Sequence, residues 1–365
     1  MINNKKFVIV AISGGVDSAI SAYILKNMGY YVEGIFMKNW NIDDNNNYCN
    51  SEEDFFYAKL ISSRLNIKLN FINFSKEYWE KVFKITLDKL KLGLTPNPDI
   101  LCNKEIKFNL LIKYVLNNIG ANYISTGHYV KNIFFKNKNF LLKSIDKDKD
   151  QSYFLYTLNN DNLKFCLFPL GWMYKKNVRE LAKKLNFENF DKKSSTGICF
   201  IGEKNFRKFI SKFIPLKYGN IITSDNINIG THNGIHFYTI GQRYGLNIGG
   251  IKKYLSKPWY IIDKNVINNT IIVSQDKNHP NLLSKGLIAN SVNLINEIKN
   301  IYRLDIEVKL RYSKNTMKSK IEFINNNKVK IIFNKLYGIV VPGQSVVFYI
   351  NEICIGGAII ESNIL

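Results

Sequence analysis

The apolar residues of this chain change period along its length. Residues 7–12 are apolar without interruption, as befits a strand buried on both faces of a parallel sheet. Residues 18–28 follow with helical spacing, 31–37 read as a second strand, and 52–65 as a helix with Phe56, Leu60 and Ile61 facing inward. A third strand at 68–74, a helix at 76–90, a helix at 104–117 and a strand at 122–126 continue the alternation. This predicts an open α/β sheet with helices on both faces, whose ligand edge holds residues 13–17, Met37 and Gly127–His128. Residues 95–103 contain two prolines and no periodicity, which predicts a loop. A short helix at 205–213 ends before Pro215. Glycines then become frequent across 219–250, with strands expected at 259–262 and 269–274. Beyond residue 282 the period is two: Ile306, Val308 and Leu310; Ile321 and Phe323; Val329, Ile331 and Phe333; Val346, Phe348 and Ile350. Short strands at this spacing predict a small antiparallel barrel, with the Asn/Lys-rich stretches 136–139 and 325–328 as hairpin tips. The expected units are a catalytic α/β domain over 1–214, a small central domain over 215–280 and a barrel over 281–365.

Composition agrees with a folded chain of this size. Its 365 residues suggest two or three domains at roughly 150 residues each. With 46% hydrophobic and 22% charged residues it is neither disordered nor fibrous. No stretch approaches the ~18 consecutive apolar residues of a membrane helix, so no membrane partner is expected. Lys plus Arg total 51 against 29 Asp plus Glu, a net charge of +22 that suits a polyanion, nucleic acid first. Lys, Asn, Ile, Phe and Tyr nevertheless crowd the chain and only six residues are Arg. That is the codon signature of an AT-rich genome, which raises Lys whatever the function. The five cysteines (Cys49, Cys102, Cys166, Cys199, Cys354) form no CxxC pair, and four histidines are too dispersed for a zinc cluster. The N-terminal apolar run reads as a strand, not a secretory signal, and the expected location is the reducing cytoplasm.

The densest local chemistry is Ser13-Gly14-Gly15-Val16-Asp17-Ser18, between a strand and a helix. Two glycines let backbone approach an anion, two hydroxyls can donate to it, and the following helix adds unpaired N–H groups and a favourable dipole. Asp17 would repel a phosphate unless a divalent cation lay between them. The loop lacks the Lys-Ser/Thr ending of a Walker A sequence and is not GxGxxG. SGGVDS after a buried strand resembles the PP-loop of N-type ATP pyrophosphatases, which cleave ATP between the α and β phosphates and adenylate a substrate oxygen.

Further segments extend the likeness: Gly34-Ile35-Phe36-Met37-Lys38-Asn39-Trp40, the run from Thr95-Pro96-Asn97-Pro98-Asp99 through Cys102-Asn103 to Phe108, Ser125-Thr126-Gly127-His128-Tyr129, Lys149-Asp150-Gln151-Ser152, Thr196-Gly197-Ile198-Cys199-Phe200-Ile201-Gly202 and Pro342-Gly343-Gln344-Ser345. Together, in this order from about residue 7 to about residue 360, they resemble the tRNA-specific 2-thiouridylase (MnmA) family. The resemblance implies an adenine nucleotide alpha hydrolase-like PP-loop domain, a central domain and a C-terminal β-barrel. It implies that ATP, with Mg²⁺, adenylates O2 of the wobble uridine in the tRNA anticodon arm. A persulfide sulfur then displaces AMP to give 2-thiouridine. It further implies that Cys199 carries that sulfur, supplied by a cysteine desulfurase or a sulfur-relay protein. Cys102 attacks or releases it, leaving a Cys102–Cys199 disulfide, and Asp99 acts as general acid or base. Residues Ala11, Ile12, Ser13, Gly14, Gly15, Val16, Asp17, Ser18, Met37 and Gly127 would hold ATP, with Asp17 at the metal. Asn97, Pro98, Asp99, His128, Lys149, Asp150, Gln151, Arg311, Tyr312 and Gln344 would meet tRNA.

The residues themselves are compatible with these roles. Cys102 and Cys199 lie in Gly/Pro-rich polar segments, and Cys102 is expected just before a helix, where thiol pKa falls. Cys166 and Cys354 lie in apolar runs and should be core. Ala11 and Ala19 replace residues that are usually Gly and Ser in the family, and neither change removes a required donor. Two other readings stay open: a PP-loop ligase acting on a small molecule, which needs neither cysteine nor a basic barrel, and an RNA-binding protein whose PP-loop is a relic.

Overall fold

The computed structural model describes residues 5–40, 51–192, 206–249, 251, 254–297 and 302–365. Its first unit is built on a parallel sheet of order β3-β2-β1-β4-β7, formed by β1 (Phe7–Ala11), β2 (Tyr31–Lys38), β3 (Leu69–Asn73), β4 (Tyr123–Ser125) and β7 (Cys166–Leu167). Strand β1 lies at its centre, and Val8, Ile9 and Val10 are wholly buried. The strand's two-residue period divides its side chains between two cores. Val8 and Val10 join Ala19, Ile20, Val178 and Ala182 on one face. Ile9 and Ala11 join Val82, Phe83, Ile106 and Leu111 on the other. This explains the uninterrupted apolar run at 7–12. Because β2 lies on one side of β1 and β4 on the other, the strand order reverses there. The crevice at such a reversal, beyond the strands' carboxyl ends, is where open α/β sheets bind ligands.

Two helical expectations shift in the structure. Helix α2 (Ser51–Arg64) buries Ile61 as expected, with Ala58 beside it, but turns Phe56 outward, 58% exposed. Phe55, next to Phe56, packs its ring against Phe36 and Phe71, and so takes the inward place expected of Phe56. The stretch 95–103 is not all loop. Helix begins at Pro98 and runs without a break to residue 119. Asn97 caps it, its side chain accepting from the N–H groups of Asp99 (3.1 Å) and Ile100 (3.4 Å). Proline is suited to the first helical position, where no N–H is needed, so Asn-Pro here is a start signal and not a turn.

The central unit is a sheet of order β10-β11-β8-β9, from β8 (Gly219–Thr223), β9 (Asn228–His232), β10 (Tyr260–Asn265) and β11 (Thr270–Ser274). The third unit contains β12 (Ser284–Leu294), β13 (Arg303–Lys309), β14 (Met317–Asn325), β15 (Lys328–Tyr337), β16 (Ser345–Ile350) and β17 (Ile353–Ile364). These close into a barrel because β12 pairs with both β15 and β17. The period-two residues Ile306, Val308, Ile321, Val329, Ile331 and Phe348 fill it. The hairpin of β5 (Val130–Phe135) and β6 (Lys138–Lys143) belongs in sequence to the first unit. It adds to the barrel sheet, with Ile353 opposite Leu142 and Cys354 opposite Leu141. The α/β unit and the barrel therefore share main-chain hydrogen bonds. Among the described residues no helix is long and apolar enough to cross a membrane.

His232 is fully buried in the central unit. Its Nδ1 accepts from the Gly234 N–H at 3.1 Å, and its Nε2 lies 3.1 Å from the Asn269 carbonyl. This is a neutral ring, and burial pushes its pKa below 6.5. Below pH 6.5 the unfolded chain takes up this proton and the folded chain does not, so stability is lost as pH falls. Thermal melting from pH 8 to 5 should show this decline, and His232→Asn should make it shallower, with the lowered pKa values of His128 and His236 supplying the rest.

Candidate active site

The loop after β1 turns sharply into α1 (Val16–Asn27). Gly14 has φ +74°, and a Cβ there would stand 2.3 Å from the carbonyl oxygen of Asp54. Only glycine meets both conditions. Inside the loop the Ser13 N–H donates to Ser18 Oγ (3.2 Å), and Ser18 Oγ donates to the Gly15 carbonyl (2.9 Å). Asn189 holds the Gly14 carbonyl at 2.8 Å. No side chain caps α1, which leaves its first-turn N–H groups for an external acceptor.

Of the sequence-predicted residues, Gly127 packs directly on this loop and Gln151 reaches it through Tyr129. Gly127 follows β4, and a Cβ on it would come within 2.9 Å of the Asp17 and Ser18 backbone. Met37 is half-buried at the end of β2, opposite Ile72 of β3. His128 is half-buried, with Thr126 Oγ1 2.6 Å from its Nδ1 and the Phe108 ring 5.7 Å away. Burial, then the charge of Lys107, hold its pKa well below the usual range, so the ring is neutral at pH 7. Gln151 clasps the next residue from both sides: its Oε1 accepts from the Tyr129 N–H (2.9 Å), and its own N–H donates to the Tyr129 carbonyl (3.0 Å).

Asp17 is the most connected charge here. Lys175 Nζ donates to both of its carboxylate oxygens, at 2.6 and 2.7 Å. The Tyr129 hydroxyl donates to Oδ1 at 2.7 Å. Burial pushes the Lys175 pKa down, Asp17 pulls it back up, and the cations Arg179 and Lys149 oppose it further. Burial, then the charge of Asp17, drive the Tyr129 phenol far above its ordinary range. Lys175 opens the helix Lys175–Lys184, and Asp146 accepts from its backbone N–H at 2.8 Å. Sequence reasoning missed Lys175 and Tyr129. Tyr129 carries a signal in its position beside Gly127-His128, but Lys175 sits among ordinary lysines and meets Asp17 across 158 positions.

The second group lies along the helix 98–119. Cys102 is the last residue of its opening segment, Pro98–Cys102, and is 1% exposed. It therefore stands inside the helix rather than before it, sharing a core with Ile100, Ile106 and Phe108. Asp99 is half-buried on the first turn. Gln344, next to Gly343 of the barrel, donates to the Thr95 carbonyl at 3.0 Å, and the Thr95 N–H donates to the Pro342 carbonyl at 3.1 Å. The barrel edge is thus tied to the segment leading into Asn97. Cys166 and Cys354 are buried core thiols, as expected. Burial raises both pKa values, that of Cys354 to about 12, which leaves them unreactive. Cys199 lies outside the described residues.

Arg311 and Tyr312 are exposed just beyond β13, and the Tyr312 ring packs 4.9 Å from Phe154. Lys149 is exposed. Asp150 is not: it is 2% exposed and pairs with Lys309 at 2.8 Å. Among the described residues no three His, Cys, Asp or Glu side chains group to hold a metal ion.

A glycine-turned loop at the switch point of a parallel sheet, joined to two β units, defines an open-sheet α/β domain with barrel attachments. The family model described as "tRNA methyl transferase HUP domain" matches residues 6–203. Those described as "tRNA methyl transferase PRC-barrel domain" and "Aminomethyltransferase beta-barrel domain" match 207–275 and 284–360. A relative in Buchnera aphidicola subsp. Schizaphis graminum is 49% identical over 364 residues, covering 100% of this chain and 99% of its own. One in Buchnera aphidicola subsp. Acyrthosiphon pisum is 50% identical with the same coverage. One in Salmonella typhimurium is 46% identical over 364 residues, again with 100% and 99% covered. All three are named tRNA-specific 2-thiouridylase MnmA. The chain belongs to the MnmA family of tRNA-specific 2-thiouridylases.

The Asp17–Lys175 pair is partly sheltered, with side chains 29% and 10% exposed. Lys175→Met should lower folding stability by roughly 1–3 kcal/mol, between the limits for surface and buried pairs. Asp17→Asn together with Lys175→Met should recover part of that loss. Denaturant unfolding of the three variants measures both effects.

Proposed function

We propose that this chain thiolates a tRNA uridine at C2 with consumption of ATP. The observation that carries the reading is the packing of Gly127 on the Ser13–Ser18 loop, with Gln151 tied to it through Tyr129, in a chain whose family members are named 2-thiouridylases. In this reading the loop N–H groups and Ser13 and Ser18 hold the ATP phosphates. O2 of the uridine attacks the α-phosphorus, and pyrophosphate leaves with the bond between the α and β phosphates. Lys175 is a sheltered cation at the loop, placed to offset the charge gathering on pyrophosphate. Its present partner, Asp17, keeps that cation charged until nucleotide arrives.

Mg²⁺ fits the site as one held chiefly by phosphates and water. The loop supplies a single carboxylate, Asp17, which is already engaged by Lys175 and Tyr129, and magnesium commonly uses one or two carboxylates beside substrate phosphates. When bound it would neutralise phosphate charge. In the second step the terminal sulfur of a Cys199 persulfide attacks C2, and AMP leaves. Cys102 thiolate then attacks Cys199 Sγ. The S–S bond breaks, its electron pair stays on the sulfur at C2, and a Cys102–Cys199 disulfide forms. A two-electron thiol reductant resets it. The persulfide comes from a cysteine desulfurase or a relay protein. Arg311, Tyr312, Lys149, Asn97 and Gln344 form the tRNA surface, with the uridine drawn out of its stack to reach Asp99.

Nucleoside mass analysis of tRNA incubated with the protein, ATP, Mg²⁺ and a persulfide donor tests this. Wild type should yield 2-thiouridine, and Cys199→Ser and Cys102→Ser should yield none. A methylated uridine instead would overturn the reading, in line with the wording of the family models. Pyrophosphate release that survives thiol alkylation and needs no tRNA would favour a small-molecule ligase.

A further inference from the structure

Asp150 lies between two residues expected to touch tRNA, yet its carboxylate has no room for a nucleic acid. Oδ1 accepts from the backbone N–H groups of Ser144 and Ser152, both at 3.2 Å. Oδ2 accepts from Ser152 Oγ at 2.9 Å and from Lys309 Nζ at 2.8 Å. The two charged side chains are 2% and 1% exposed. Lys309 also lies 5.3 Å from the ring centroid of Tyr349, whose hydroxyl is 3.1 Å from Ser152 Oγ. Every acceptor site on the carboxylate is thus taken, and a buried anion would repel a phosphate.

The pair joins separate units. Asp150 belongs to the segment 144–152, which is anchored at the nucleotide loop through Gln151 on Tyr129 and through Asp146 on the Lys175 N–H. Lys309 is the last residue of β13, two positions before Arg311. Around the pair, Tyr312 packs on Phe154 and Lys314 pairs with Asp148 at 2.8 Å. A fully desolvated ion pair contributes little net stability, but removing one partner strands a buried charge, so each group holds the other's element in place.

We infer that Asp150 and Lys309 form a buried pin that sets Lys149 and Gln151 of the α/β unit in register with Arg311 and Tyr312 of the barrel, so that Asp150 is a positioning residue and not an RNA contact. The inference rests on the proposed tRNA substrate. It assigns Lys309 a part in tRNA affinity although it is buried away from any ligand.

The test compares wild type, Lys309→Met, and Asp150→Asn with Lys309→Met, by thermal melting, nucleotide affinity and thiolation kinetics. Lys309→Met should melt lower, because it strands a buried carboxylate. The double variant should recover most of that melting temperature while its KM for tRNA rises about tenfold, with kcat at saturating tRNA and ATP affinity unchanged. The slope of tRNA affinity against salt should stay at the wild-type value, since no phosphate contact is removed. A double variant with wild-type tRNA KM would reduce the pair to a packing element and overturn the inference. A lowered salt slope would make Lys309 a phosphate contact, with the same consequence. Hydrogen exchange on the wild type is independent of how the variants fold. The Ser144 and Ser152 amides should exchange slowly with and without tRNA, and their release on tRNA binding would show that Asp150 changes partner. Wild type that binds no tRNA would sink the functional reading itself, which the melting data alone cannot do.

Discussion

The carboxylate of Asp17 stands where three distant parts of the chain meet: the loop after β1, Tyr129 after β4, and Lys175 at the head of a later helix. A carboxylate in the first turn of a helix is favoured by the helix dipole, and here it also fixes a sheltered ammonium against the loop. Without the Lys175 charge the Asp17 carboxylate would stand at the loop with only the Tyr129 hydroxyl donating to it from a side chain. Without Asp17 the lysine would be a buried cation with Arg179 and Lys149 nearby. Asp146 extends the arrangement by holding the Lys175 backbone, and so links the loop after β1 to the segment containing Lys149, Asp150 and Gln151.

The second constraint is the continuity between the α/β unit and the barrel. The β5–β6 hairpin leaves the parallel sheet directly after the His128 region and ends in antiparallel pairing with β17. A hinge between the units would have to break those hydrogen bonds and expose the buried Asp150–Lys309 pair. The surface carrying Arg311 and Tyr312 is therefore held at a set distance from the loop. An enzyme of the 2-thiouridylase family, which acts on one base of a large folded RNA, gains from that rigidity.

The thiols divide by environment in the same physical terms. Cys166 and Cys354 sit in strands, where burial above all keeps them protonated, with the charge of Asp150 adding to it at Cys354. Cys102 shares a core but stands one turn into a capped helix, beside Asp99 and close to the segment tied to Gln344. Burial does not separate these cysteines. Position on the fold does.

By itself the sequence determined the elements whose signal is local. The apolar run at 7–12, the SGGVDS turn, and the period-two residues of the barrel each report an environment through consecutive side chains, because strand burial and tight turns act over a few residues. Their order was enough to place a ligand edge at residues 13–17 and Gly127–His128. Tertiary structure decided what depends on partners far away in the chain. On α2, Phe55 meets Phe36 and Phe71 and so took the inward place read for Phe56. Asn97-Pro98 became a helix start because the chain beyond it packs as a helix against the sheet. Lys175 and Lys309, indistinguishable in sequence from the lysines of a solvated face, became sheltered charges only when folding brought Asp17 and Asp150 to them across 158 and 159 positions. An ion pair leaves no periodic trace in sequence, since its energy depends on the dielectric that the folded chain itself creates.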